Sequence, residues 1–165
     1  MLIIDTESLW DYNNCSKLLV VSIINIDIRK QIQCIESYDL RNQNDYNKVK
    51  ELLQKTSNLI TWNGEIDVVR LEKEFSIKLN NYDLKKMLEE HTNSNFKLMK
   101  LNEVLQYFNI KAINNIKNKD TIHIYKKLRS LLNSEDFNKV DIQILHNKCN
   151  EDVYNTYLAY LYCIQ

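Results

Sequence analysis

The first forty residues alternate between short apolar runs and polar interruptions. Leu2 to Asp5, Lys17 to Ile26 and Gln31 to Tyr38 are rich in β-branched residues, with polar breaks at Asn13-Asn14 and Arg29-Lys30. Such runs predict strands, and three neighbours joined by short loops predict an antiparallel meander. From Asp45 to Lys55 the period changes. Val49, Leu52 and Leu53 stand at helical spacing, and Asn58 to Trp62 returns to the pattern of a short buried strand. Beyond Trp62 helical spacing dominates: Ile66 to Phe75, Tyr82 to His91, Lys100 to Phe108, Thr121 to Leu132, and a long final segment from Val140 to Tyr162. The polar stretch Ala112 to Asp120 predicts a surface loop. Without internal repeats or a linker-like segment, the expectation is one α/β domain over residues 1–165, a small N-terminal sheet flanked by helices.

Composition narrows this picture. Of 165 residues 44% are hydrophobic, enough apolar surface to offset the chain entropy lost on folding, which excludes a disordered chain. The longest apolar run, Leu18 to Ile24, is strand-sized, well short of the roughly 18 to 20 residues that cross a bilayer. The N-terminus reaches Asp5 at once and lacks the basic and long apolar regions of a signal peptide, so a cytoplasmic location is expected. Twenty-two basic residues balance 22 acidic ones, so net charge alone does not nominate a nucleic-acid partner. Four cysteines form no Cys-x-x-Cys, and the pair His146 and Cys149 has no second pair to complete a zinc site. A single glycine and no proline leave the turn positions loosely marked.

Four carboxylates stand out by position. Asp5 and Glu7 lie two apart at the end of an apolar strand, and a period of two puts both on one face. Crowded there, two like charges repel unless a cation sits between them, and a divalent metal is the usual solution; the alternative is that both point to solvent. Asp67 follows the strand Leu59 to Trp62, just after Gly64, the only glycine. A glycine there allows a tight turn, so Asp67 opens a helix beside the strand end, as an ordinary helix-start acid also would. Asp152 lies beside the stripe Val153, Thr156, Tyr157 and Tyr160 of the final helix, near its buried side; a satisfied surface carboxylate is the plainer reading.

Taken together, these strings resemble the DEDD (DnaQ-like) 3′-to-5′ exonuclease superfamily. Leu2-Ile-Ile-Asp-Thr-Glu-Ser8 is similar to the first motif of that superfamily, an apolar strand running into Asp-x-Glu-Thr/Ser. Ile60-Thr-Trp-Asn-Gly-Glu-Ile-Asp67 resembles the second, with Ile66 where the family has Phe. His146-Asn-Lys-Cys-Asn-Glu-Asp-Val-Tyr-Asn-Thr156 resembles the third. Between them, Tyr82 to Met87, Lys97 to Leu105 and Phe108 to Ile110 are similar to the intervening helices of the YprB-like branch. One departure concerns the residue ahead of the last acid. The family places Tyr four or His five residues before it, where this chain has Lys148 and Asn147, with His146 six before. In a regular helix six residues turn about 240°, so His146 reaches the site only if Asn147 to Asn150 form a loop.

The resemblance implies an RNase H-like α/β fold, a mixed sheet with an antiparallel three-strand meander plus parallel strands, flanked by helices. It also implies a two-metal phosphodiesterase in which Asp5, Glu7, Asp67 and Asp152 hold two Mg²⁺ or Mn²⁺. His146 is then the expected general base, with Lys148 the alternative. Substrate, the single-stranded 3′ end of DNA or RNA, would be held by Trp10, Asn63 and Lys148, with Lys97, Lys100, Lys126 and Lys127 as further phosphate contacts. His91 and His123 read as surface or structural residues. The rival readings are a degenerate RNase H-like domain that only binds nucleic acid or protein, and an α/β domain whose four acids never meet.

Overall fold

The computed structural model describes residues 1–10, 16–26, 32–56, 58–93, 96 and 98–164. The strands β1 (Leu2–Trp10), β2 (Ser16–Ile26) and β3 (Ile32–Asp39) form the expected antiparallel meander. The expected breaks at Asn13-Asn14 and Arg29-Lys30 lie outside the described residues. After α1 (Gln43–Lys55), β4 (Asn58–Thr61) joins the other edge of β1 in parallel, pairing Leu59 with Leu2 and Ile60 with Ile3. Helix α2 (Glu65–Phe75) leads to a fifth strand, β5 (Asn80–Asp83), parallel to β4, so the sheet order is β3-β2-β1-β4-β5. The remaining elements are α3 (Leu84–Thr92), α4 (Leu101–Tyr107), α5 (Asn118–Ser130), a 3₁₀ turn (Glu135–Lys139) and α6 (Gln143–Cys163). This mixed sheet flanked by helices is the RNase H-like α/β arrangement that the resemblance implies.

Four local features depart from expectation, each for a physical reason. β5, read as the start of a helix at Tyr82, is a four-residue polar segment without a periodic signal; it is a strand because the edge of β4 offers unpaired backbone to Asn80 through Asp83. Asp83 then accepts a hydrogen bond from the Lys85 N–H at 3.0 Å and caps α3. β1 continues past Asp5 to Trp10, so Asp5 and Glu7 sit inside the strand, held by pairing with Ser22 and Val20 of β2. Gly64 is required for its size and not for its backbone freedom. Its φ is −88°, whereas an added Cβ would stand 2.0 Å from Thr61 Oγ1; the left-handed residue of this turn is Asn63, with φ of 51°. The fourth departure is in α6, which is helical from Gln143, so the loop that would swing His146 toward the acids is not formed.

Helices cover both faces of the sheet. On one face Leu2 and Ile4 pack with Val21, Leu53, Leu71 and Phe75 beneath α1 and α2. On the other, α6 runs the length of the sheet: Val153, Ala159 and Tyr160 lie over Ile3 and Ile60, while Leu145 and Cys149 cluster with Leu9 and Val20. The row Ile3, Asp5, Glu7, Leu9 of β1 therefore faces α6, apolar at both ends and acidic in the middle.

Candidate metal-binding active site

The alternation of β1 brings Asp5 and Glu7 under α6, and the pitch of α6 supplies the third acid. Cys149, fully buried, points its thiol at Asp5, with Sγ 3.3 Å from both the backbone oxygen and Oδ2. Asp152, three residues on, lies nearly on the same helix face and completes a group in which one ligand atom each of Asp5, Glu7 and Asp152 lies within 4.8 Å of the others. Asp67, in the first turn of α2, lines the same cleft as Asp5 and Asp152. Its Oδ1 accepts a 2.5 Å hydrogen bond from Thr6 Oγ1, and Arg70, one helical turn later, stands 4.0 Å away while donating to Ser8 Oγ at 2.5 Å.

Protein donors also hold Glu7 and Asp152. The Tyr125 hydroxyl, from α5, donates to Glu7 Oε2. The Lys148 ammonium donates to Asp152 Oδ2 and stands 3.7 Å from Glu7 Oε1, with only 17% of its side chain exposed. Lys148 and Asp152 are four apart and so share one line of α6.

The electrostatics follow from this crowding. Burial, reinforced by the charges of Asp152, Asp67 and Glu7, raises the Asp5 carboxyl well above the ordinary range, and the Cys149 contact only partly opposes it. Burial also raises Glu7, against the lowering effect of Lys148 and Tyr125, and raises Asp67, against Thr6 and Arg70. Lys148 moves the other way for a cation. Burial works to lower its pKa, but Asp152 and Glu7 outweigh it and hold the ammonium above its ordinary value, so it is a fixed positive charge. Burial next to Asp5 raises the Cys149 thiol, which stays protonated and neutral.

His146 is elsewhere. Its Nδ1 lies 2.6 Å from Ser37 Oγ on β3, and burial lowers its pKa against the pull of Asp39. Regular helical geometry, continuous through Asn147 to Asn150, turns it away from Asp152 toward that strand.

Asp5, Asp67 and Asp152 floor a cleft of about 970 Å³, lined also by Asn63 and Lys148. Trp62, Ile66 and Met99 contribute apolar side chains to the lining. Lys100, Lys117 and Lys119, all exposed, stand on the rim where α4 and α5 begin. A neutral chain thus carries a locally basic rim over an acidic floor. The side chain of Trp10 and residue Lys97 lie outside the described residues, and Lys126 and Lys127 are exposed on α5 away from this lining. Both His91 and His123 are exposed.

Sequence reading missed Tyr125, Thr6, Arg70 and Cys149. Tyr125 sits among the apolar positions of an amphipathic helix and reads as core; Cys149 reads as half of an incomplete zinc pair. Only the i,i+3 spacing of Asp67 and Arg70 carried a local signal.

The donor set at the cleft floor is made of carboxylate oxygens, hard ligands suited to Mg²⁺ or Mn²⁺, and the neutral thiol of Cys149 does not alter it. Sheet order and acid placement together define an RNase H-like domain with a candidate metal-binding cluster. The RNase_H_2 family model, of the RNase_H superfamily, matches residues 2–162, and the chain belongs to that family. None of the curated proteins matches it in sequence. Among solved structures it is similar to one described as "3'-end specific recognition of histone mRNA stem-loop by 3'-exonuclease", with a TM-score of 0.54 and 13% identity over 79% of this chain and 80% of that one. At that identity the likeness concerns the fold.

Proposed function

We propose that this chain is a metal-dependent 3′-to-5′ exonuclease of the DEDD type, nearest the YprB-like branch, acting on single-stranded ends of DNA or RNA. The observation that carries the reading is the convergence of Asp5, Glu7 and Asp152, from the first strand and the last helix of the chain, into one group whose Asp5 and Asp152 line the cleft together with Asp67. These four acids would hold two Mg²⁺ or Mn²⁺. When bound, such ions activate the attacking water and stabilise the leaving 3′ oxygen.

The protein's own groups do the rest. Tyr125 fixes the orientation of Glu7, and Thr6 fixes that of Asp67. Lys100, Lys117 and Lys119 offer phosphate contacts on the rim, while Trp62 and Ile66 offer bases apolar contact. Asn63, held by its backbone N–H to Asp83 Oδ1 at 3.1 Å, borders the same path. The base role goes to neither candidate: Lys148 is held as an ammonium, and His146 is turned to Ser37. The similar solved structure concerns an mRNA stem-loop and a 3′-exonuclease, which is a reason to test RNA beside DNA.

The test is degradation of 5′-labelled single-stranded DNA and RNA with Mg²⁺, Mn²⁺ or EDTA. The expected result is a metal-dependent ladder shortening from the 3′ end, lost in Asp5→Ala and Asp152→Ala. A second reading, a binding module without catalysis, is favoured by the ammonium of Lys148 lodged among the acids. Retained oligonucleotide binding with no cleavage under any metal would establish that reading instead.

A further inference from the structure

Three observations meet at Lys148. The first is competition for ligand atoms. A divalent ion bridging Glu7 and Asp152 needs their oxygens, yet Asp152 Oδ2 already accepts from Lys148, Glu7 Oε1 faces the same ammonium at 3.7 Å, and Glu7 Oε2 accepts from Tyr125. The second is charge. Asp5, Glu7, Asp67 and Asp152 carry four negative charges when ionised, against two positive ones on the cations paired with them, Lys148 and Arg70, and a single divalent ion brings this group to zero. A second ion would leave an excess of two positive charges in a half-buried site, unless phosphate entered with it. The third is access: Lys148 lines the cleft together with Asp5 and Asp152, so its ammonium faces the space a phosphodiester would occupy.

We infer that Lys148 is a built-in counter-ion that closes one of two divalent-ion positions in the free protein, and that a nucleic-acid phosphate opens it by drawing the ammonium away from Glu7 and Asp152. This inference rests on the metal-dependent reading of the site given above. Lys148 acts here as a positioning residue: it sets how many ions the acids take up before substrate arrives.

The experiment is Mn²⁺ binding to the whole chain, followed calorimetrically and by the electron paramagnetic resonance of free Mn²⁺, with no nucleic acid present. Wild type is expected to take up one ion, Lys148→Met two, and Lys148→Arg, which keeps the charge, one. Adding an oligonucleotide with a cleavage-resistant 3′-terminal phosphorothioate should bring the wild type to two. Circular dichroism checks folding, and Lys148→Gln replaces Lys148→Met if the latter does not fold. Two ions in the free wild type, with affinities equal to those of Lys148→Met, would overturn the inference while leaving the nuclease reading intact. No Mn²⁺ binding by either protein would overturn both. A wild type that binds one ion and a variant that binds two, without cleavage by either, would support the counter-ion role and remove the nuclease reading alone.

Discussion

Along β1, even and odd positions meet different surroundings. Toward α1 and α2, Leu2 and Ile4 enter an apolar cluster that includes Leu71 and Phe75, and further along the strand Thr6 and Ser8 meet Asp67 and Arg70. Toward α6, Ile3 and Leu9 bracket Asp5 and Glu7, and the helix answers with Cys149, Lys148 and Asp152 in place of a continuous apolar stripe. One strand therefore supports stability with one face and concentrates negative charge on the other. The acidic face costs stability, because desolvation and mutual repulsion disfavour ionised Asp5 and Glu7, and the apolar face offsets it.

Breaking the apolar face should have the largest effect on folding. Leu71→Ala removes a fully buried side chain from the α1/α2 cluster and should lower unfolding free energy by about 2–5 kcal/mol, read from urea denaturation. Touching the other face should spare the fold and harm the chemistry. Tyr125→Phe keeps the ring in place but frees Glu7 from its donor, and exonuclease rate or Mn²⁺ affinity should fall roughly 10- to 100-fold, with a melting temperature close to wild type.

The smallest effect sharpens the contrast through pH. Folding raises the proton affinity of Asp5, Glu7 and Asp67. A group whose folded pKa is raised contributes stability that is fully present below its unfolded value, near about 4 for a carboxylate, and lost as pH rises through the folded value. Lys148, also raised, contributes throughout this window because its unfolded value lies far above it. These acids should therefore lower the melting temperature of the metal-free protein as pH rises above the ordinary carboxylate range, and His146, whose folded pKa is lowered, should oppose that slope around its unfolded value of about 6.5. Asp5→Asn should flatten that slope and melt a few degrees higher than wild type at the alkaline end, followed by circular dichroism. Mg²⁺ should restore wild type and do less for the variant, since an ion that binds only the folded state stabilises it. A melting temperature independent of pH, equal in both proteins, would show that the acids are solvated and the site is not built.

The boundaries that sequence reading located well are those with strong periodicity: β2, whose β-branched run is buried on both faces, and α1, with its apolar spacing. It missed β5, because the four polar residues Asn80 to Asp83 become a strand only when the edge of β4 is there to pair with them. The same limit explains His146. Its identity suggested a base, but its direction depends on where α6 begins, and a chain with one glycine and no proline carries little punctuation to mark that point.

What the sequence by itself determined is local and periodic: that Asp5 and Glu7 share a face, that Lys148 and Asp152 share a line of a helix, and that Asp67 opens one. These follow from the two-residue and 3.6-residue repeats of strand and helix, which need no partner. Only the tertiary structure decided what the acids meet. Tyr125 reaches Glu7 across 118 positions and Cys149 reaches Asp5 across 144, while the Lys148 ammonium settles between carboxylates from two elements. Separations of that order leave no periodic trace in the chain; they arise when a helix is laid across a sheet, and burial then forces each charge to find its partner.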